Sequence, residues 1–139
     1  MAGYSGKPLS QRLGITPGFR IFADSPPKPY GDIVGPLPDG AKILARTTAP
    51  LDMVHLFATE AAGLAGKLKR FRGRIAPDGM IWVSWPKKAS GVATDLSDVV
   101  VRDTALPLGL VDVKVCAVDK IWSGLKFVIP KDRRGQRRK

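Results

Sequence analysis

Apolar residues along this chain fall into short runs separated by turn signals, which is the pattern of buried strands. Residues 80–85 are apolar except for Ser84, as expected for a central strand that helices cover on both faces. Pro86 ends this strand because proline cannot donate to a sheet ladder. Similar runs predict further strands at 19–23, 41–46, 52–58, 109–118 and 121–129. Asp119 and Lys120 join the last two in a tight hairpin.

Helical spacing of apolar residues appears between these strands. Residues 59–75 predict a helix with Thr59 as its cap and Glu60 in its first turn. Its apolar stripe has spacings of three and four and consists of Ala61, Leu64, Leu68, Phe71 and Ile75. Residues 94–105, capped by Thr94, predict a second helix, and 7–13 predict a short one that Gly14 stops. The proline-rich stretch 24–40 favours an extended crossover with one helical turn at 30–34.

The order of these elements predicts the fold class. Strands that alternate with helices and end in a hairpin indicate an α/β protein with a Rossmann-like three-layer sheet of about six strands and right-handed crossovers. We expect one domain over residues 1–130. Residues 131–139 are too charged and too poor in apolar residues to fold alone, so they predict a disordered basic tail.

Positive charge is concentrated in two stretches of the chain. The formal net charge of the 139 residues is +11, yet residues 67–74 and 131–139 carry almost all of it. Such stretches bind phosphate backbones without reading bases, although a tail of this kind can also serve solubility alone. The predicted nucleic-acid-binding residues are Lys67, Arg70, Arg74, Arg133, Arg134, Arg137, Arg138 and Lys139.

A basic loop follows the predicted central strand. In open α/β sheets ligands bind at the carboxyl ends of the strands, and helix N-termini there attract anions. The ammonium groups, hydroxyls and flexible backbone of this loop therefore predict an anion site, with a solvated basic loop as the alternative. Its residues are Lys87, Lys88, Ser90, Gly91 and Thr94. The same sheet edge should bring together the cleft-lining residues Asp24, Arg46, Thr59, Ser84 and Trp85.

Other reactive side chains point to structural roles. His55 is the only histidine and lies in an apolar strand without an obvious partner, so we interpret it as structural. Cys116 is expected to be a small buried hydrophobe, and Trp82 to lie in the core. Trp85 and Trp122 can stack a base or pack. The sequence has neither metal-ligand spacing nor a Gly-x-Ser-x-Gly elbow, so no metal site or catalytic residue is predicted.

Several specific motifs carry a resemblance that covers nearly the whole chain. They include Gly3-Tyr4-Ser5-Gly6, Leu13-Gly14-Ile15, Gly35-Pro36-Leu37-Pro38, Trp82-Val83-Ser84-Trp85-Pro86-Lys87-Lys88 and Trp122-Ser123-Gly124-Leu125-Lys126. In these motifs the chain resembles a family of small bacterial proteins known only as a domain of unknown function. That resemblance implies no activity.

The second half of the chain carries another resemblance. From Leu51 to Lys131 the order of strands and helices, closed by a hairpin, resembles class I S-adenosylmethionine methyltransferases. Those enzymes place a Gly-rich turn after the first strand and an acid after the second. Here these positions hold Asp24-Ser25-Pro26-Pro27 and Ala45-Arg46-Thr47. These departures predict that no cofactor is held and that S-adenosylmethionine in particular is unlikely to bind.

The leading function predicted from these features is a non-catalytic protein that binds an anionic partner, RNA or a nucleotide. One alternative is a small methyltransferase-like enzyme, or a degenerate relative, acting on a phosphorylated or nucleotide ligand. Another is a protein–protein module that uses Trp122 to Lys126 and the segment around Tyr4. A single cysteine, no signal-peptide pattern and no apolar run of bilayer length favour a cytoplasmic protein without a membrane partner. The oligomeric state stays open.

Overall fold

The computed structural model describes residues 7–48 and 50–134, and a mixed sheet of six strands forms the centre of this part. The strands are β1 (Arg20–Asp24), β2 (Lys42–Ile43), β3 (Leu51–Phe57), β4 (Ile75–Pro86), β5 (Val111–Ala117) and β6 (Trp122–Val128). Their spatial order is β2-β1-β3-β4-β6-β5. The first four strands are parallel, and β6 pairs antiparallel with both β4 and β5. The predicted Rossmann-like sheet with a terminal hairpin is confirmed.

Helices cover both faces of this sheet. They are α1 (Leu9–Arg12), α2 (Tyr30–Val34), α3 (Leu64–Arg72) and α4 (Asp98–Ala105). Side chains of α1 and α2 share a core with Met53 and Trp82, while those of α3 and α4 share one with Leu56 and Trp85. Successive strand residues point to opposite faces, so the sheet has an α1–α2 face and an α3–α4 face. Both Trp82 and Trp85 are buried.

The two longer helices begin later than predicted. Gly63, at φ 84°, precedes α3 at Leu64, and Thr59 lies in the loop before it. Helix α4 begins at Asp98, where the Ser97 side chain accepts a hydrogen bond from the Val100 backbone N–H at 3.2 Å. Thr94 and Thr59 are therefore not helix caps. Helix α2, in contrast, occupies its predicted position within the proline-rich crossover.

Strand β4 is longer than predicted because it includes an insertion. Leu51 pairs with Ile75 and Met53 with Met80, so β4 has three more residues than β3 between the two pairs. The predicted turn at 77–79 is this bulge. A Cβ on Gly79 would lie 3.0 Å from the Ala76 carbonyl oxygen, which explains glycine there.

The ends of the described region add little to the sheet. Edge strand β2 has two exposed residues instead of the predicted six-residue strand. After β6, Lys131–Arg133 forms a single 3-10 turn, so the predicted tail is not wholly irregular where it is described. Residues 135–139 lie outside the described residues, as does the segment around Tyr4. Across 7–48 and 50–134, no helix has the length and apolarity to cross a membrane.

Candidate functional site

The carboxyl ends of β1 and β3 lie side by side and form a crevice. Asp24, the last residue of β1, is paired with Leu56 near the end of β3. From β1 the chain passes through α2, on the α1–α2 face, to β2; from β3 it passes through α3, on the opposite face, to β4. The two connections diverge to opposite sides, which makes this the topological switch point where open α/β sheets bind ligands. We call it the switch-point crevice.

Two adjoining cavities occupy the switch-point crevice. The first has a volume of about 240 Å³ and is lined by Ser25, residues 57–60 and 62–64, and Lys67. The second, of about 370 Å³, is lined by Thr59, Glu60 and residues 93–95. Because both include Thr59 and Glu60, the crevice extends from the end of β1 to the loop that precedes α4.

The Asp24 carboxylate lies next to the crevice and is held by two hydrogen bonds from residues that line it. Its Oδ1 atom accepts a hydrogen bond from the Ser25 hydroxyl at 2.6 Å and from the Lys67 ammonium at 3.1 Å. The Asp24 side chain is 14% exposed, so the carboxylate lies mostly beneath the surface. Lys67, predicted to contact nucleic acid, lies on α3 and lines the first cavity of this crevice.

The turn after β1 has an unusual backbone conformation. Ser25 has a φ of 55° and is the one non-glycine residue with positive φ among residues 7–48 and 50–134. This left-handed conformation costs an L-residue energy that glycine does not incur. The chain thus makes at Ser25 the kind of turn for which glycine is usually used, and the strain lies at the crevice, where such outliers often have a functional reason.

The crevice has more carboxylates than ammonium groups, although the whole protein carries a net positive charge. Glu60 and Asp95 line the two cavities with carboxylates, and the one lining ammonium, that of Lys67, is bonded to the Asp24 carboxylate behind it. Asp95 also holds the wall in place, because its Oδ1 atom accepts a hydrogen bond from the Ala61 backbone N–H at 2.7 Å. In a protein with a net charge of +11, this crevice suits a ligand with hydroxyls or positive charge better than a phosphate.

The loop predicted to bind an anion is held together by its own hydrogen bonds. The Lys87 ammonium donates to the Asp119 carbonyl at 2.7 Å, and the Ser90 hydroxyl donates to the Lys87 carbonyl at 2.7 Å. The Thr94 hydroxyl donates to the Thr59 carbonyl at 2.6 Å. Lys88 and Gly91 are exposed. The Lys87 ammonium and the Ser90 and Thr94 hydroxyls are thus already engaged in hydrogen bonds within the protein. The anion-binding role of the loop stays a prediction.

The predicted cleft residues do not all meet at the crevice. Thr59 lines both cavities and Asp24 contacts the lining residues Ser25 and Lys67, whereas Arg46 is exposed beyond β2 and lines neither cavity of the crevice. Trp85 borders a separate cavity of about 420 Å³ on the α3–α4 face. Ser84 is fully buried and therefore lines no cleft, which corrects that prediction. Its side chain points into the α1–α2 face, where it contacts His55.

His55 has two partners that the sequence did not reveal. Its Nδ1 atom lies 2.6 Å from the Tyr30 hydroxyl oxygen, and its Nε2 atom lies 2.7 Å from the Ser84 hydroxyl oxygen. Burial lowers the pKa of His55 to about 3 and raises that of Tyr30, so both side chains are neutral. The expectation of a histidine without a partner is wrong, while a structural role is consistent with its full burial.

The predicted nucleic-acid residues point in different directions. Arg74 donates to the Thr47 carbonyl at 3.4 Å near the start of β3, at the sheet edge opposite Lys67. The Arg70 guanidinium lies over the Phe71 ring, 5.0 Å from its centroid, and Arg134 donates to the Ile129 carbonyl at 2.9 Å. Arg133 is exposed. Arg137, Arg138 and Lys139 lie outside the described residues, and nucleic-acid binding stays a prediction.

Metal chemistry has no evident centre in the described part of the chain. Among residues 7–48 and 50–134, no group of three or more His, Cys, Asp or Glu side chains is arranged to hold a metal ion. Cys116 is buried, as predicted, and accepts a hydrogen bond from Arg12 Nη1 at 3.2 Å.

Comparisons with known proteins identify relatives in structure only. No family model and no curated protein matches the chain, so the resemblance to the small bacterial family stays a prediction. A solved structure of a possible exported protein from Bordetella parapertussis matches with a TM-score of 0.64 and 9% identity, over 87% of this chain. The match covers 65% of the Bordetella protein, so this chain spans less than two thirds of its length.

Two methyltransferases also match. Magnesium protoporphyrin IX methyltransferase from Synechocystis PCC 6803, with bound SAH, gives a TM-score of 0.57 at 9% identity over 88% of this chain and 78% of that one. A SAM-dependent methyltransferase from Aquifex aeolicus gives 0.57 at 15% identity over 86% and 87%. The methyltransferase-like resemblance of the sequence is therefore supported at the level of the fold.

These structures overturn the prediction that S-adenosylmethionine is an unlikely ligand. The Synechocystis enzyme carries SAH in one structure and SAM in another, on the same fold. The prediction takes the missing Gly-rich turn and the missing acid after the second strand as signs of a missing cofactor site, but Ser25 adopts the left-handed conformation without a glycine. The chain has the Rossmann-like fold of class I methyltransferases, with a crevice at its switch point.

Proposed function

We propose that the switch-point crevice binds S-adenosylmethionine and that the chain is a small methyltransferase-type protein, either an enzyme or a relative that has kept the binding site. The observation that supports this most is the position of the two adjoining cavities at the carboxyl ends of β1 and β3. Ser25, in its left-handed turn, lines the first cavity.

The residues of the crevice match the polar groups of this ligand. The Glu60 carboxylate, which lines both cavities, can accept hydrogen bonds from ribose hydroxyls or from the ammonium group, since ionised acceptors make the stronger bonds. Asp24 acts from behind the lining, because it holds the Ser25 hydroxyl and the Lys67 ammonium. The surplus of carboxylates also favours a positively charged sulfonium. When bound, S-adenosylmethionine supplies an electrophilic methyl group. The residues of this chain then serve to hold the ligand and to exclude water from the crevice.

A phosphorylated compound or a nucleotide is our proposed class of methyl acceptor. Lys87 and Lys88 border the 420 Å³ cavity at the carboxyl end of β4, next to strand β3. Trp85, Leu96 and Val115 give that cavity an apolar floor on which a base or ring can pack. A purely non-catalytic RNA-binding protein is the weaker candidate, because the similarity to solved methyltransferases gives that function no support.

Binding of the ligand provides the direct test. Isothermal titration with S-adenosylmethionine and S-adenosylhomocysteine should give saturable binding and raise the melting temperature. Asp24→Asn and Glu60→Gln should each weaken binding about tenfold, the size of a lost charge-assisted hydrogen bond. Asp78→Asn is the matched control, because Asp78 is an exposed carboxylate in the β4 bulge, away from both cavities.

The outcome separates the two candidate functions. If millimolar S-adenosylmethionine gives no binding and no thermal shift, the proposed function is ruled out. If binding occurs and Asp78→Asn weakens it as much as Asp24→Asn does, the ligand lies outside the switch-point crevice. Transfer of methyl groups to RNA or nucleotide acceptors, measured with isotope-labelled ligand, then distinguishes an enzyme from a binding protein.

A further inference from the structure

Lys126 of β6 lies in a row of side chains that crosses three neighbouring strands. It is directly paired with Trp82 of β4 on one side and with Lys114 of β5 on the other. Trp82 belongs to the core of the α1–α2 face, and directly paired residues share a face, so the two lysines lie side by side there. Like charges directly opposite on neighbouring strands are destabilising, so the charge of one lysine disfavours the charged form of the other.

Lys114 is the member of the pair whose positive charge is stabilised. Its side chain is exposed, and its ammonium donates a hydrogen bond to the Arg12 carbonyl at the end of α1, at 2.7 Å. A hydrogen bond from an ammonium to an acceptor favours the protonated form, and so does contact with water. Lys114 therefore acts as a fixed positive charge beside Lys126.

Lys126 has no acceptor of this kind. It is partly buried, and its Nζ atom lies 3.5 Å from the position that a Cβ atom on Gly14 would take. The two carbonyls that precede Gly14 already accept hydrogen bonds, from the Lys114 ammonium and from the Trp82 indole N–H. Within the described part of the chain, the Lys126 side chain has neither a hydrogen-bond partner nor an ion-pair partner.

The elements packed around Lys126 direct no carboxylate towards it. On β5, Asp112 pairs with Arg102 of α4, on the opposite face of the sheet, at 3.0 Å. On β4, Asp78 lies exposed in the bulge. Helix α1 and strand β6 contain no acidic residue, and the charged residue of α1, Arg12, is also positive.

These surroundings favour the neutral amine of Lys126. Burial and the charge of Lys114 lower its pKa, so a larger fraction of the amine is unprotonated at neutral pH than for an exposed lysine. A lower pKa also makes an amine a weaker intrinsic nucleophile. The gain in unprotonated fraction is the larger of the two effects as long as the pH is below the pKa.

We propose that Lys126 is a nucleophilic amine that forms an imine with small aldehydes or ketones. Desolvation and a neighbouring cation are the two means by which proteins activate a lysine for this chemistry, and Lys126 has both. The Nζ lone pair attacks the carbonyl carbon, and the carbonyl oxygen takes up the two amine protons and leaves as water. The product is a C=N bond to Nζ, and no oxidant or reductant is consumed.

The position of the amine restricts the carbonyl compound to a small one. Lys126 is partly buried between β5 and the turn after α1, where Gly14 has no side chain to cover its Nζ atom. Lys126 lines neither cavity of the switch-point crevice, so this reactivity does not depend on S-adenosylmethionine binding.

The test treats the full chain with acetaldehyde at neutral pH. Cyanoborohydride reduces each imine to a stable secondary amine, and peptide mass spectrometry gives the rate at each lysine. Lys126 should be labelled several times faster than Lys120, the matched control, which is an exposed lysine in the turn of the same hairpin. The rate at Lys126 should also reach half of its maximum at a lower pH than the rate at Lys120. Equal or slower labelling of Lys126, or the same half-maximal pH, would contradict the proposal.

Two variants of Lys114 test whether the neighbouring charge is responsible. Lys114→Met removes the charge and should slow labelling of Lys126, because the amine is then more fully protonated. Lys114→Arg keeps the charge and should keep the rate close to that of the wild type. Labelling of Lys120 is the internal reference for the reagent in each variant. If Lys114→Met leaves the rate at Lys126 unchanged, or Lys114→Arg slows it equally, the lysine pair does not activate the amine and the proposal is wrong.

Discussion

The Nε2 atom of His55 lies 2.7 Å from the Oγ atom of Ser84, and neither side chain is accessible to solvent. A histidine and a serine at this distance would suggest an activated nucleophile if a substrate could reach them. Here the Tyr30 hydroxyl oxygen, and not a carboxylate, is the partner of the His55 Nδ1 atom, at a distance of 2.6 Å. The three side chains satisfy one another within the core, so the arrangement serves stability.

Replacement of His55 by leucine should destabilise the protein strongly. The change leaves the buried hydroxyls of Tyr30 and Ser84 without their partner, and each such group costs roughly 1–3 kcal/mol. We expect the free energy of unfolding in urea to fall by about 3 kcal/mol. Ser84→Ala is the milder comparison, because His55 keeps Tyr30 and the loss should be about 1 kcal/mol. A loss for His55→Leu no larger than for Ser84→Ala would contradict this account.

The pH dependence of stability should report His55 directly. Its pKa falls from an ordinary 6.5 to about 3 in the folded protein because burial opposes the charged form. The unfolded state therefore binds more protons below pH 6.5, and stability falls as the pH is lowered towards 3. The expected slope approaches about 1.4 kcal/mol per pH unit.

Denaturant unfolding between pH 7.5 and 5.0 measures this slope. His55 is the only histidine, and the ordinary pKa values of carboxylates lie below this range. A folded His55→Gln variant should lose most of the dependence. A wild-type stability that stays flat from pH 7 to 5 would show that His55 is not held neutral.

The backbone at Ser25 can be tested with two substitutions that both remove the hydroxyl. At an ordinary negative φ, alanine is more stable than glycine by about 0.4–1 kcal/mol. At the φ of 55° observed here the order should reverse, with Ser25→Gly more stable than Ser25→Ala by about 1 kcal/mol. Urea unfolding of the two variants gives the sign, and a more stable Ser25→Ala would exclude the left-handed turn.

The regular part of the fold follows from local patterns. The apolar run at 80–85 predicts the central strand, and the prolines around Tyr30 predict a single helical turn, because both depend on residues that are close in sequence. The same holds for the hairpin around Asp119. These patterns identify the strands, whose carboxyl ends meet at one edge of the sheet. They therefore indicate where a crevice should form.

The site itself depends on contacts between residues far apart in sequence. Thr59 and Glu60 resemble a helix start, but the Thr59 carbonyl accepts hydrogen bonds from the Thr94 hydroxyl and the Asp95 backbone N–H. His55 finds partners 25 and 29 residues away. Nor does residue type reveal the conformation of Ser25, where a rule based on glycine gives the wrong conclusion about the cofactor.

The wall of the crevice should loosen when Asp95 is replaced by alanine. Asp95 Oδ1 accepts the Ala61 N–H at 2.7 Å, and with Thr94 it fastens the loop before α4 to the loop after β3. Loss of this bond should speed hydrogen exchange of the Ala61 amide about tenfold, the equivalent of one hydrogen bond, while global stability changes little. Asp98→Ala, in the first turn of α4, controls for loss of charge. Exchange at Ala61 that is equal in both variants would show that Asp95 does not hold the wall.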